Sequence, residues 1–316
     1  MKKAFEKLNL RDYGVLLGFL ALCIAISIAT PSFLGKQNIL NLLRQSSIIG
    51  IISAGMTFVI ISGNFDISVG AVAALAGAIT MKFATGGTNL FASMFLGVAI
   101  CAVIGLINGI VVAKINVPSL IATMAMVTIV RGLLLMLTGG YPITENIPIL
   151  DYIENGYLFN IPIPVVIFFI VVLVSFIVLN KTKFGRYVYS VGGNQEASKL
   201  NGINVDSHKV KVFIINAVLA GIAGIVLTGR LGTATAIAGE GYDMDAIASV
   251  VIGGTSVAGG SGSVLKTVIG VLLMSVINNS FNLLGIDVYF QYIFKGLIIL
   301  AAVGFDSYSK KKLASR

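Results

Sequence analysis

The chain is predicted to fold as an all-α, polytopic membrane protein, and three observations carry that prediction. Only 11% of its residues are charged and its mean hydropathy is +0.97, whereas soluble domains carry about a quarter charged residues. Its apolar residues are gathered into runs of membrane-spanning length, separated by short polar or Pro/Gly-rich links. One long polar interval with basic flanks, residues 181–211, divides those runs into two arrays. A length of 316 residues holds about ten spans of some twenty residues each plus short links. Residues 1–316 therefore read as a single transmembrane domain.

The segments follow in order. A basic stretch, Met1 to Asp12, precedes an apolar run from Tyr13 to Thr30, too long for the core of a cleaved signal, so it reads as an uncleaved first span. Pro31-Ser32-Phe33 ends it, and Asn38 to Gln45 is expected to be a short amphipathic stretch at the outer surface. Span two, Ile48 to Ser62, is interrupted by Gly63-Asn64-Phe65-Asp66, and Ile67 to Phe83 makes span three. Span four covers Leu90 to Ala113, a turn at Lys114 leads to Pro118, and span five ends near Thr138. Residues 139–162 are acidic and rich in Pro and Gly, too polar to span. Span six is Ile163 to Leu179. Beyond the polar interval come span seven, Val212 to Leu231, and a second break, Gly239 to Asp245. Ala246 to Ala258 is read as a short span eight, followed by the link Gly259 to Ser263. Span nine runs from Val264 to Leu284 and span ten from Val288 to Phe305.

Charge fixes the expected orientation. Lys and Arg concentrate at the two termini, at Lys114 and in residues 181–211, while residues 139–162 contain neither. Cytoplasmic loops collect basic residues, so both termini and the polar interval are expected in the cytoplasm. The net charge of +9 needs no nucleic-acid partner on this account. A faint echo, Gly63 to Ile67 against Gly241 to Asp245, suggests two related halves with broken helices, a construction that transporters use around their pathway.

Several polar residues stand where the bilayer makes them costly. Asn64, Asp66 and Ser68 are suited to cap span three or to face the pathway, and Tyr242, Asp243 and Asp245 stand in the same position before span eight. Asn278, Asn279 and Asn282 cluster within one turn of span nine, where amides either tie helices together or line a wet path for a polyhydroxylated solute. Arg131 and Lys295 are expected near span ends, with their charges reaching outward. The polar stretch Phe184 to Ile203 has a glycine pair followed by a short helix-forming run, Asn194 to Leu200. In a chain otherwise built for lipid, it reads as the cytoplasmic handle gripped by an ATPase.

Other chemistries find no support. The glycine block 253–262 lacks the Gly-Lys-Ser/Thr of a phosphate loop, and the chain has neither a paired-His zinc motif nor a Gly-x-Ser-x-Gly elbow. Cys23 and Cys101 lie in apolar runs and suggest neither a disulfide framework nor a metal site. His208, the single histidine, is read as solvated. No cofactor or metal is expected, and the energy source is expected to be another polypeptide.

The longest motifs resemble one family. Ala54-Gly55-Met56-Thr57-Phe58-Val59-Ile60 with Asn64 to Gly70, Phe184-Gly185-Arg186-Tyr187-Val188-Tyr189 with Gly192-Gly193-Asn194, Gly241 to Thr255, and Asn278-Asn279 with Asn282-Leu283-Leu284-Gly285 resemble the ribose-type permeases of bacterial ABC monosaccharide importers. Two positions depart from the family pattern: Asn64-Phe65-Asp66 stands where Gly-Ile-Asp is usual, and Tyr242-Asp243-Met244-Asp245 where Tyr-Glu-Leu-Asp is common. The resemblance implies a multi-pass subunit of the bacterial plasma membrane that moves a monosaccharide, ribose first. It would work with a second copy or a sister permease, two ATP-binding subunits or one tandem ATPase that hold ATP-Mg, and an extracytoplasmic sugar-binding protein. Gly185, Arg186, Gly192, Gly193, Asn194, Glu196, Ala197, Leu200 and Gly202 would form the segment docked in the ATPase. The rival expectations are another solute, namely a hexose, xylose, inositol or autoinducer-2, and an ion-coupled secondary sugar carrier.

Overall fold

The computed structural model describes residues 10–145 and 147–314, with side chains from 15 to 304 apart from 146; the basic residues 1–9 and 315–316, expected in the cytoplasm, lie outside it. Among the described residues there are thirteen α-helices: α1 (Leu10–Ala29), α2 (Lys36–Ile61), α3 (Val69–Thr85), α4 (Leu90–Ala113), α5 (Ser119–Thr138), α6 (Pro148–Asn155), α7 (Ile163–Lys181), α8 (Lys183–Gly193), α9 (Gln195–Leu200), α10 (Val205–Leu231), α11 (Tyr242–Ile252), α12 (Val264–Leu283) and α13 (Val288–Ala314). A single-turn 3-10 helix, Pro31–Leu34, links α1 to α2, and a small antiparallel hairpin, β1 (Tyr157–Leu158) with β2 (Ile161–Pro162), leads into α7. Six helices, α2, α4, α5, α7, α10 and α12, are long and apolar enough to cross a membrane, and α1, α3 and α13 hold shorter apolar stretches.

At the centre stand α2 and α10. Small residues on α10, Ala217, Ala220, Gly221, Ala223 and Gly224, are buried and let α3 and α4 approach its backbone closely, which is how helices associate where apolar burial gives no advantage over lipid. Gly105 of α4 rests on Phe213 and Ala217, and Gly221 of α10 rests on Cys101 of α4. Polar side chains mark the helix starts: Asn89, Thr182, Asn194 and Asn204 accept the free N–H groups of α4, α8, α9 and α10 and so satisfy donors with no partner inside the helix.

Three sequence expectations change. Asn38 to Gln45 is no separate surface stretch but the opening turns of the 26-residue α2; the Ser46 and Ser47 hydroxyls bond back to the Leu42 and Leu43 carbonyls, so these polar residues continue the helix. The polar stretch Phe184 to Ile203 is largely helical, with Val188 and Val191 buried on one face of α8, and Val205 to Lys211 already belongs to α10. The segment read as span eight is helical from Tyr242 to Ile252 instead of from Ala246 to Ala258, which moves Tyr242, Asp243 and Asp245 from the break into the first turn of α11.

Both interruptions are present. Between α2 and α3 the chain crosses residues 62–68 without helix, and between α10 and α11 it crosses residues 232–241. The start of α3 meets the second interruption at Gly70 and Gly239, whose backbones touch: a Cβ on either would overlap the other's carbonyl oxygen. The two echo motifs sit differently, because Gly63 ends α2 six residues before α3 whereas Gly241 is the residue on which α11 starts.

Candidate functional site

The first interruption is tied down by its own surroundings. Phe65 and Ile67 donate backbone N–H groups to the Ser119 and Thr123 hydroxyls of α5, so residues 64–67 run along the start of that helix. Asp66 is buried; its Oδ1 accepts from the Ser68 N–H at 2.9 Å and the Ser68 hydroxyl at 2.5 Å, and its Oδ2 accepts from Asn216 Nδ2 of α10 at 2.9 Å. Ser68 also accepts from Asn108 Nδ2 of α4. Asn64 turns back onto the Ser62 carbonyl and hydroxyl. One carboxylate thus joins the interruption to α10 and, through Ser68, to α4.

The second interruption opens onto a cavity of about 1040 Å³, at the upper end of the usual size range for small-molecule sites. Its walls come from Ile67 of the first interruption with Gly70 of α3, the chain around Gly239, the first turn of α11, one face of α5 including Met124 and Arg131, Asn278 and Asn282 of α12, and Gln291, Tyr292 and Lys295 of α13. Arg131 donates to the Ala236 carbonyl and, at 3.0 Å, to the Ala238 carbonyl, which pins the irregular backbone to α5. Lys295 Nζ donates to Asp245 Oδ2 at 3.0 Å, and Asn278 Nδ2 lies 3.4 Å from the same oxygen. The carboxylates of Asp243 and Asp245 stand in the first turn of α11, where the helix dipole favours negative charge.

Arg131 and Lys295 therefore turn inward, against the expectation that their charges reach out of the bilayer. The asparagine cluster divides. Asn278 and Asn282 line the cavity, whereas Asn279 exchanges two hydrogen bonds with Asn38 at 2.8 and 3.0 Å and so ties α12 to the start of α2. Tyr242 and Asp245 also line the cavity; Asn64, Asp66 and Ser68 do not.

The polar interval presents a compact surface. Arg186, Gly193, Asn194, Glu196, Ala197, Leu200 and Gly202 are exposed, Leu200 to 90%. Glu196 pairs with Lys199 at 3.2 Å, and Asn194 caps α9. Gly185 is buried against the Leu179 carbonyl, and Gly192 allows no side chain: a Cβ there would overlap the Ile61 carbonyl oxygen. That same oxygen accepts the Gly260 N–H at 2.8 Å, and the Tyr189 hydroxyl donates to the Gly262 carbonyl at 3.0 Å. Burial pushes the Tyr189 hydroxyl above its ordinary value, which keeps its proton for that bond. The glycine block after α11 is thus a tight turn seated against α8. His208 stacks on Phe184 and meets the edge of Tyr187, so it packs as an aromatic residue.

Sequence reasoning missed Asn216, the partner of Asp66, and a buried ion cluster far from the polar interval. Glu154 of α6 lies 4.0 Å from Arg44 of α2 and 3.7 Å from Arg230 at the end of α10, and Arg44 also donates to the Tyr157 hydroxyl at 3.0 Å. The acids and Pro/Gly residues of 139–162 were legible, but nothing in that run revealed that Glu154 faces inward.

Residues 38–303 match the family model described as "Branched-chain amino acid transport system / permease component". The ribose import permease protein of Haemophilus influenzae is 44% identical over 93% of this chain and 94% of its own length, and that of Bacillus subtilis 42% identical over 94% and 93%. The L-arabinose transport system permease protein of Escherichia coli K12 is 36% identical over 95% of this chain and 92% of its own. No solved structure gives a match.

Proposed function

Because the chain belongs to the branched-chain amino acid transport system / permease component family, we propose that it is the membrane-spanning subunit through which an ABC importer moves a monosaccharide, ribose first, across the bacterial plasma membrane. It is a transport subunit and not an enzyme. The observation that carries the reading is the cavity at the meeting of the two interrupted helices, whose lining combines Asn278, Asn282, Gln291 and a near-balanced set of charges. Neutral donors and acceptors can replace water around sugar hydroxyls without holding them too tightly for release. The ribose import permeases at 42–44% identity over nearly full length support ribose as the first solute, and the L-arabinose permease keeps another pentose open.

The six long apolar helices, the three shorter apolar ones and α11 supply ten spans in this reading, with both termini in the cytoplasm and α2–α5 related to α10–α13 in inverted orientation. The exposed residues of α8 and α9 dock in a cleft of an ATP-binding subunit that holds ATP-Mg, since this chain has no phosphate loop. A second permease copy, or a sister permease, covers the apolar faces of α5 and α13 beside the cavity, where Met124, Tyr292 and Ile293 are exposed. ATP binding closes the ATPase pair, α8 and α9 move with it, and the permease pair changes between outward and inward openings. Docking of a loaded sugar-binding protein biases that equilibrium by binding one state more tightly.

The test is to purify the tagged chain gently with its natural partners, reconstitute the assembly in vesicles with the binding protein, and follow labelled ribose. Accumulation that requires ATP is the expected result. Accumulation without ATP under an imposed proton or sodium gradient would instead establish an ion-coupled carrier.

A further inference from the structure

The hairpin that leads into α7 has two unlike faces. Tyr157 and Pro162 are register partners, as are Leu158 and Ile161, so the first pair shares one face and the second pair the other. The protein holds the first face. Pro162 is buried, and the buried Arg44 of α2 donates to the Tyr157 hydroxyl at 3.0 Å and lies 5.5 Å from the centre of its ring. The second face is bare: Leu158 and Ile161 are each 47% exposed, and Phe159 at the tip is 89% exposed.

The tip is also strained. A two-residue hairpin turn takes positive φ at its central residues, which suits Asn and Gly; here Phe159 has φ 50° and Asn160 φ 64°. Asn tolerates that backbone but a bulky ring rarely adopts it, so the turn itself does not account for Phe159. Charge points to what covers it. Residues 155–180 contain no charged side chain, and this run passes from the hairpin straight through α7, one of the helices long and apolar enough to cross a membrane. Glu154, the acid just before it, is turned inward to Arg44 and Arg230. A face for a soluble partner is bordered by a polar rim, whereas this one continues the charge-free surface of a membrane span. Phe and Leu side chains in that position bury themselves at the boundary between lipid headgroups and acyl chains.

We propose that Leu158, Phe159 and Ile161 insert into the lipid boundary at the end of α7 opposite the polar interval, so that the hairpin anchors α6 and, through Arg44, ties α2 to the bilayer surface. The anchor is independent of which solute the chain moves.

The chain contains no Trp, so F159W introduces a lone indole at the tip. The full chain is placed in nanodiscs of dioleoylphosphatidylcholine, or of the same lipid brominated either close to the headgroup or near the chain ends, with iodide as the aqueous quencher. L200W, at a residue 90% exposed in the polar interval, is the water-facing reference. Emission from F159W is expected at shorter wavelength than from L200W, with most of it lost to lipid brominated close to the headgroup and little to iodide. Interfacial segments bury their apolar faces about 5–10 Å deep, so bromine near the chain ends should quench less. L158W reads the same face from an ordinary strand backbone and decides the matter if F159W fails to fold. Emission that neither brominated lipid reduces would overturn the anchor: strong iodide quenching would then leave the face in water, open to a soluble partner, and weak iodide quenching would place it under protein, such as a second copy. Quenching strongest from the chain ends would overturn it too, by placing the tip within the hydrocarbon.

Discussion

In residues 62–68 both oxygens of Asp66 are satisfied, by Ser68 and by Asn216, while at the end of 232–241 the matching acid, Asp245, keeps one oxygen unpaired beside a cavity. The two segments do the same backbone work, halting one helix and starting another inside the bundle, yet they treat a buried carboxylate in opposite ways. The first uses it as a fastener that joins α3 to α4 and α10. The second leaves part of its hydrogen-bonding capacity unspent and places it in a wall. An acid in a membrane helix break is therefore not by itself a sign of substrate contact; what distinguishes the two is the tally of partners.

The largest effect expected from breaking this contrast is at Asp66. Asp66→Ala removes the acceptor of three donors, two of them on the deeply buried Ser68 and one on Asn216. Each stranded donor costs about 1–3 kcal/mol, enough to lower the yield of assembled chain and the thermal unfolding midpoint in detergent. Asp245→Asn should show the reverse profile, a smaller change in midpoint with a larger loss of ribose uptake. An Asp66→Ala chain as heat-stable as the parent, but unable to transport, would move the first interruption into the pathway.

How far these features were legible depends on how local their causes are. The long helices were readable because hydropathy acts residue by residue along the chain, and the helix-forming run from Asn194 to Leu200 because what starts it is local, the Asn194 side chain accepting the Ala197 N–H three residues away. Asp66 was readable as an acid with a capping role, but not its tie to Asn216, 150 positions later. The helical character of α8 was available in the burial spacing of Gly185, Val188 and Val191, yet its high polarity pointed to a loop. Lys295 and Arg131 misled for a physical reason: hydropathy places a charge along a helix but cannot show whether it turns toward water or toward an acid on a neighbouring helix. The pairing of Asn279 with Asn38, and of Glu154 with Arg44 and Arg230, has the same long-range origin.

A second, intermediate effect tests how both interruptions reach the polar interval. The Ile61 carbonyl, just before the first interruption, accepts from Gly260 in the turn after α11, and Gly192 of α8 packs on that same oxygen. Gly192→Val forces these three backbones apart and should abolish ribose uptake while ATP hydrolysis by the partner subunits persists. Its neighbour Gly193 is exposed, with only Gly260 Cα about 4.0 Å from where a Cβ would stand, so Gly193→Val should reduce uptake far less. Equal losses from the two variants, in uptake measured with matched amounts of assembled protein, would place the constraint in docking to the ATPase instead of in the glycine junction.

The smallest effect belongs to Asn64, which sharpens the contrast from the other side. Its amide donates at 3.1 Å to the Ser62 carbonyl and to the Ser62 hydroxyl, both within two residues, and it does not line the cavity. Asn64→Ala therefore strands neither a donor on another helix nor a group facing the cavity, and should cost about 0.5–1.5 kcal/mol, the net worth of an ordinary hydrogen bond. Ribose uptake should stay at the parent level, with a slight fall in the unfolding midpoint. If uptake fell sharply while the midpoint held, residues 62–68 would be acting on the solute, and the division between a fastening interruption and a solute-facing one would fail at its least perturbed position.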